Sequence, residues 1–160
     1  MLADLRRAHE LNPNDAFALA IFGYAEAVHG LGQVAIEHCT RALRLSPRDP
    51  ARYVMLNALG WAYFCARDYA KGVEAAQDSI NEMPTHPTPH LSLTVNCVGT
   101  GDLAWAQAEI QVLRKLAPEY LESRLAGGFP SRNLEIHKRV TIFTRIAAGL
   151  EDPGVADALR

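Results

Sequence analysis

His86 and His90 stand four residues apart, the spacing that can set two imidazoles on one helix face to hold a divalent metal. Pro87 and Pro89 keep His86 out of a helix interior, and no third ligand is adjacent in sequence. Cys39, next to His38, could join Cys65 and Cys97 only through space, and packing of small apolar side chains accounts for all three more simply. No metal or cofactor is therefore expected. Gly99-x-Gly101 lacks a preceding strand and a third glycine, so it reads as a hairpin turn instead of a dinucleotide loop. Glu119 and Glu122, or Glu151 and Asp152, lie near helix starts, where carboxylates complement the helix dipole, and have no general-acid partner in view. No catalytic residue emerges, and the chain is expected not to be an enzyme.

The elements that would position these residues follow from four prolines. Pro13, Pro47, Pro84 and Pro118 each close an amphipathic segment and fall 34, 37 and 34 residues apart, the period of a two-helix tandem repeat. Helices are predicted near 2–11, 15–29, 33–45, 50–66, 70–83, 88–99 and 103–116, with turns at Gly30–Gly32, Ala66–Asp68 and Gly99–Gly101. Asp15 and Asp49 can accept from free backbone N–H groups at helix starts, and Pro50 and Pro87 sit where a missing N–H matters little. The three extra residues of the second repeat are expected to lengthen its first helix by nearly one turn.

Aligned on the prolines, Gly23, Gly60 and Thr94 coincide, as do Phe22, Leu59 and Leu93, then Ala35, Gly72 and Ala106. Small residues recur where helix backbones must approach closely. Leu56-x2-Leu59-Gly60-x2-Tyr63, followed by Gly72-x3-Ala76-x2-Ser79 and Pro84, resembles the tetratricopeptide repeat signature, as does Ala35-x3-Cys39-x2-Ala42 with Pro47. The third copy diverges, with Thr94 and Cys97 at the usual glycine and tyrosine. The resemblance implies an all-α, right-handed superhelix of stacked hairpins: a partial repeat at 1–13, repeats at 14–47, 48–84 and 85–118, and C-terminal capping helices over 119–160. Residues 1–13 then look like the second helix of a repeat whose first helix lies outside this sequence, as in a fragment of a longer chain.

In this family the first helix of each repeat lines the inner surface, which implies a partner-binding groove of Phe17, Tyr24, Val28, Asn57, Trp61, Phe64, Leu91 and Val95. Members that bind chaperones grip a terminal carboxylate with lysines and asparagines on these faces. Here the matching positions carry Ala20, Tyr24, Trp61, Leu91 and Val95, which disfavours such a clamp. The occupants compatible with so apolar a surface are an amphipathic helix of a protein or peptide partner, another copy of the chain in a homodimer, or the chain's own C-terminal helices. A small apolar molecule sensed in the same hollow is the alternative. On the open-groove reading, Trp61→Ala with Phe64→Ala should abolish partner capture while leaving helix content nearly intact.

Composition sets outer bounds. With 160 residues, 49% of them hydrophobic, one domain with a sizeable core is expected. Sixteen basic against eighteen acidic side chains give a net charge of −2, far from the basic excess of a nucleic-acid footprint. No run of about 18 apolar residues exists, so no membrane span is expected and the chain is read as cytoplasmic. The three widely spaced cysteines argue for reduced thiols. Past Ala126-Gly127-Gly128-Phe129-Pro130, a helix from about Asn133 to Ala148 carries an apolar stripe of Leu134, Ile136, Val140, Phe143, Ile146 and Ala147. Opposite it, His137, Lys138, Arg139 and Arg145 read as a solvated face. Tyr120–Leu125 and Ile142–Leu150 also resemble the C-terminal repeat region of bacterial class III adenylate or guanylate cyclases. That resemblance implies a regulatory or assembling segment of a signalling protein whose catalytic residues lie elsewhere.

Overall fold

The structure, a computed structural model, describes residues 2–160, without the side chains of residues 2, 3 and 8. It consists of α1 (Leu2–Leu11), α2 (Ala16–Val28), α3 (Gly32–Leu45), α4 (Arg52–Ala66), α5 (Tyr69–Glu82), α6 (Pro87–Thr100), α7 (Leu103–Leu116), α8 (Pro118–Leu125) and α9 (Leu134–Ala147), then a short 3-10 helix over Pro153–Ala158. No strand occurs among the described residues. Helices α2/α3, α4/α5 and α6/α7 form antiparallel hairpins, and each hairpin leans on the next through α3·α4 and α5·α6. The first helices stack on one another, α2 on α4 and α4 on α6, and make one continuous inner layer.

Local chemistry explains the boundaries. Asp15 caps α2 by accepting from Ala18 N at 2.9 Å, and Asp102 does the same for Trp105 N at 3.0 Å. Each hairpin bend carries the same wrap-around bond: Leu31 N to Glu26 O, Asp68 N to Tyr63 O and Asp102 N to Cys97 O, at 2.9 to 3.0 Å. These donors are spaced 37 and 34 residues apart, matching the proline spacing. Two bends place glycine in the left-handed region, Gly30 and Gly101, but the middle one places Arg67 there at φ 65°. The extra length of the second repeat does not all enter α4. The connection 46–51 takes two residues more than the connections 12–15 and 83–86, because Asp49 turns the chain by accepting from Ala51 N at 2.8 Å before α4 starts at Arg52.

Close helix approach accounts for the small residues. A Cβ on Gly23 would come within 2.7 Å of Cys39 Sγ, and one on Gly72 would come within 2.0 Å of Asn96 Oδ1. Thr94, which takes the glycine place in the third hairpin, fits fully buried because its hydroxyl turns back to donate to His90 O at 2.8 Å.

The C-terminal segment does more than close one end. Helix α9 lies against α6 and also touches α7, α8 and the 3-10 helix. Ile136, Val140, Phe143, Ile146 and Ala147 of its stripe are buried, whereas Leu134 is 82% exposed because it precedes the packed turns. Arg139 departs from the expected solvated face: it is fully buried, donating through Nη2 to Phe64 O at 3.2 Å and Cys65 O at 3.4 Å. Its cation thereby meets the carbonyl end of α4, where the helix dipole is negative.

Candidate functional site

The inner layer is partly filled by the chain itself. Phe64, Leu91, Val95 and Val28 are buried in one cluster with Phe129, Ile136, Val140 and Phe143. The Phe143 ring meets Phe64 edge-on at 6.0 Å between centroids. Ser131 anchors the approach to α9 by donating to Val28 O at 2.6 Å. These four positions are buried, and at Phe64 the cover is the C-terminal helix, the self-covering alternative that the sequence left open beside a partner. Phe17 stands apart on α2, 44% exposed.

Short of that covered region, a hollow of about 210 Å³ remains between α2, α4 and α8. Tyr24, Asn57 and Trp61 line it, joined by Ile21, Val54, Ala58 and Thr88 of the same inner layer. Its far wall is Tyr120 and Arg124 of α8 with Phe129 and Pro130 of the following loop. Repeat-based reasoning missed these four because they lie past the last repeat. The available signal was Tyr120-x3-Arg124, a pair that α8 sets on one face and that stacks, guanidinium carbon to ring centre, at 4.6 Å. Trp61 is only 2% exposed because Phe129 packs on its ring with centroids 4.9 Å apart.

The electrostatics of the hollow are simple. Burial, aided by the neighbouring Tyr120, pushes the Tyr24 phenol up to about 12. Burial also raises Tyr120, against the opposing influence of Arg124, so both phenols are neutral near pH 7 and neither compensates the guanidinium. Asn57 Nδ2 donates to Thr88 Oγ1 at 3.2 Å, while Asn57 Oδ1 and Arg124 Nε are buried without a partner in the protein. No thiol, imidazole or carboxylate lines the hollow. The chemistry on offer there is apolar contact, hydrogen bonding and one positive charge.

The histidines and cysteines singled out by spacing go elsewhere. His86 sits at the start of α6, with Nδ1 2.8 Å from Thr88 Oγ1. His90 faces Glu109 through Nδ1 and Pro84 O through Nε2, each at 2.8 Å. His38 Nδ1 meets the buried Glu26 at 2.6 Å. Burial pushes the thiols of Cys39, Cys65 and Cys97 up to about 12 each. Among the described residues no group of three or more His, Cys, Asp or Glu side chains is placed to hold a metal ion, and no helix is long and apolar enough to cross a membrane.

No protein-family model matches the chain, and no curated protein matches it in sequence. Among solved structures it is similar to MamA, a tetratricopeptide-like helical solenoid, with a TM-score of 0.63 and 16% identity over 98% of this chain and 88% of that one. At that identity the likeness establishes the fold: an all-helical solenoid of the tetratricopeptide type.

Proposed function

We propose that this chain is a protein-interaction scaffold whose contact point is the hollow between α2, α4 and α8. One observation carries the reading. Helix α9 packs Phe143 on Phe64 but supplies no residue to the lining of the hollow, leaving Tyr24 and Trp61 beside an aromatic recess on the face where stacked hairpins offer a docking surface. Its size favours a protein partner over a sensed molecule. At about 210 Å³ it falls below the roughly 300–1,000 Å³ of cofactor and drug-sized sites, and it suits one bulky side chain of a docking segment. An all-helical chain has no sheet edge to extend, so helix-in-groove docking is the mode that fits. A partner protein or a second copy of the chain could supply that helix. The cyclase parentage suggested by residues 120–150 gains no support from the comparisons and is not needed here.

Site-specific photocrosslinking tests the reading. A benzophenone amino acid at Tyr24 should capture a discrete protein in the native host cell, while the same group at exposed Asp78 on α5, which contributes nothing to the hollow, should not. Equal capture from both positions, or none from Tyr24, would overturn it.

A further inference from the structure

Arg124 is the feature of this hollow that scaffolding alone does not explain. Its guanidinium stacks on Tyr120, with which it also shares a hydrogen bond, its Nε is buried with no hydrogen-bond partner, and no carboxylate lines the hollow beside it. Asn57 Oδ1, on the same lining, is also buried and unmet. Arg124 is half-buried and is the one charged side chain on the lining of the hollow, so it sets the sign of charge that a docked segment must bring. The two are complementary: a guanidinium asks for an acceptor anion, and an amide oxygen asks for a donor. Between them, Tyr24, Trp61 and Phe129 ask for an apolar side chain.

Resting on the interaction reading above, we propose that the docking segment is an acidic amphipathic helix of a partner protein, its large apolar side chain seated between Tyr24 and Trp61 and an Asp or Glu within one turn paired with Arg124. Spacing on a helix makes this geometry natural, since residues three or four apart share a face. A single arginine, not a cluster, suits one carboxylate better than a phosphate, which recruits several basic groups. The cation comes from α8, beyond the repeats, so this pairing is separate from the lysine and asparagine clamp whose positions here are apolar.

Selection from a displayed library of random 16-residue peptides on the immobilised full chain tests this directly. The enriched pool should carry one large apolar residue with Asp or Glu three or four positions away, and should be lost on Tyr24→Ala. The best peptide, synthesised with a fluorophore, should bind Arg124→Lys nearly as well as the wild type and Arg124→Gln about tenfold more weakly, the loss expected for one charged hydrogen bond at a partly exposed site. Selection on Arg124→Glu should replace the acidic residue by Lys or Arg. Unchanged denaturation midpoints of the Arg124 variants show that the fold is intact. Peptides that depend on Tyr24 yet show no acidic bias, are proline-rich, or bind Arg124→Gln equally well overturn this inference and leave the scaffold reading standing. A pool that ignores Tyr24, or no enrichment at all, overturns both.

Discussion

The guanidinium of Arg139 lies 4.7 Å from the centre of the Phe64 ring while its Nη2 donates to the carbonyl of that same residue at 3.2 Å. One side chain thus answers two needs of α4: the free carbonyls of its last turn and a partner for the face of its last large aromatic. Glu135 approaches Nη1 to 3.2 Å, close enough for charge attraction but without hydrogen-bond alignment, so the carbonyls hold the cation.

Arg139→Ala should accordingly cost about 2–4 kcal/mol, from lost charged hydrogen bonds and an unfilled space in the core. Urea denaturation reads the loss, and faster proteolysis between residues 126 and 133 reads the loosening of α9. Arg139→Lys, which keeps charge but cannot bridge two carbonyls while lying flat on a ring, should fall between. A wild-type midpoint for the alanine variant would sink this account.

Gly72→Ala should destabilise by about 1–3 kcal/mol, since the new methyl would overlap Asn96, which cannot retreat while its Nδ2 donates to Ser92 O at 2.8 Å. Combining it with Asn96→Ala should recover part of that loss. Purely additive effects in this double-mutant cycle would show that the two helices do not meet as described.

His90 gives the pH dependence. Both of its partners, the Glu109 carboxylate and the Pro84 carbonyl, only accept, so the ring satisfies them by donating from both nitrogens as imidazolium. The Glu109 hydrogen bond is the main reason that its pKa is raised, burial opposing. Folded His90 therefore holds its proton more tightly than the unfolded chain. The stabilisation is complete below the unfolded value near 6.5 and is lost as pH rises through the higher folded value. Stability measured from pH 5 to 8 should decline over that upper window, and Glu109→Gln should flatten the decline. An unaltered slope in that variant would assign the dependence to another group.

Trp61→Ala with Phe64→Ala should not leave helix content intact, contrary to expectation from an exposed groove. Both rings are buried, and each truncation costs about 3–5 kcal/mol, so the pair removes stability comparable to the roughly 5–15 kcal/mol of an entire domain. Circular dichroism should show substantial unfolding; a cooperative, fully helical double variant would mean that Phe129 and α9 do not bury these two rings.

The repeating helices were legible because their signals are local. Pro47 and Pro84 stop helices by backbone chemistry, Gly30 and Gly101 permit the left-handed bend, and the spacing of Gly23, Gly60 and Gly72 reports where a neighbouring helix leaves no room for a side chain. Sequence-based helix bounds consequently fall within two residues of those observed. What could not be read was the return of the chain. Arg139, three residues after Ile136 and four before Phe143, falls on the apolar stripe by spacing, but its charge reads as exposed, and only the distant carbonyls of Phe64 and Cys65 make its burial tolerable. Tyr24, Asn57 and Trp61 were found from the inner-helix pattern, whereas Arg124 and Phe129 complete the hollow through contacts reaching across much of the sequence.

Because α9 is covalently attached to the solenoid it covers, it behaves as an intramolecular ligand present at an effective concentration on the order of millimolar. Any rival for the ring of Phe64 must outcompete that tethered occupant, which holds it through Phe143. Substitutions in α9 would therefore alter access to this surface without touching a single residue of the repeats.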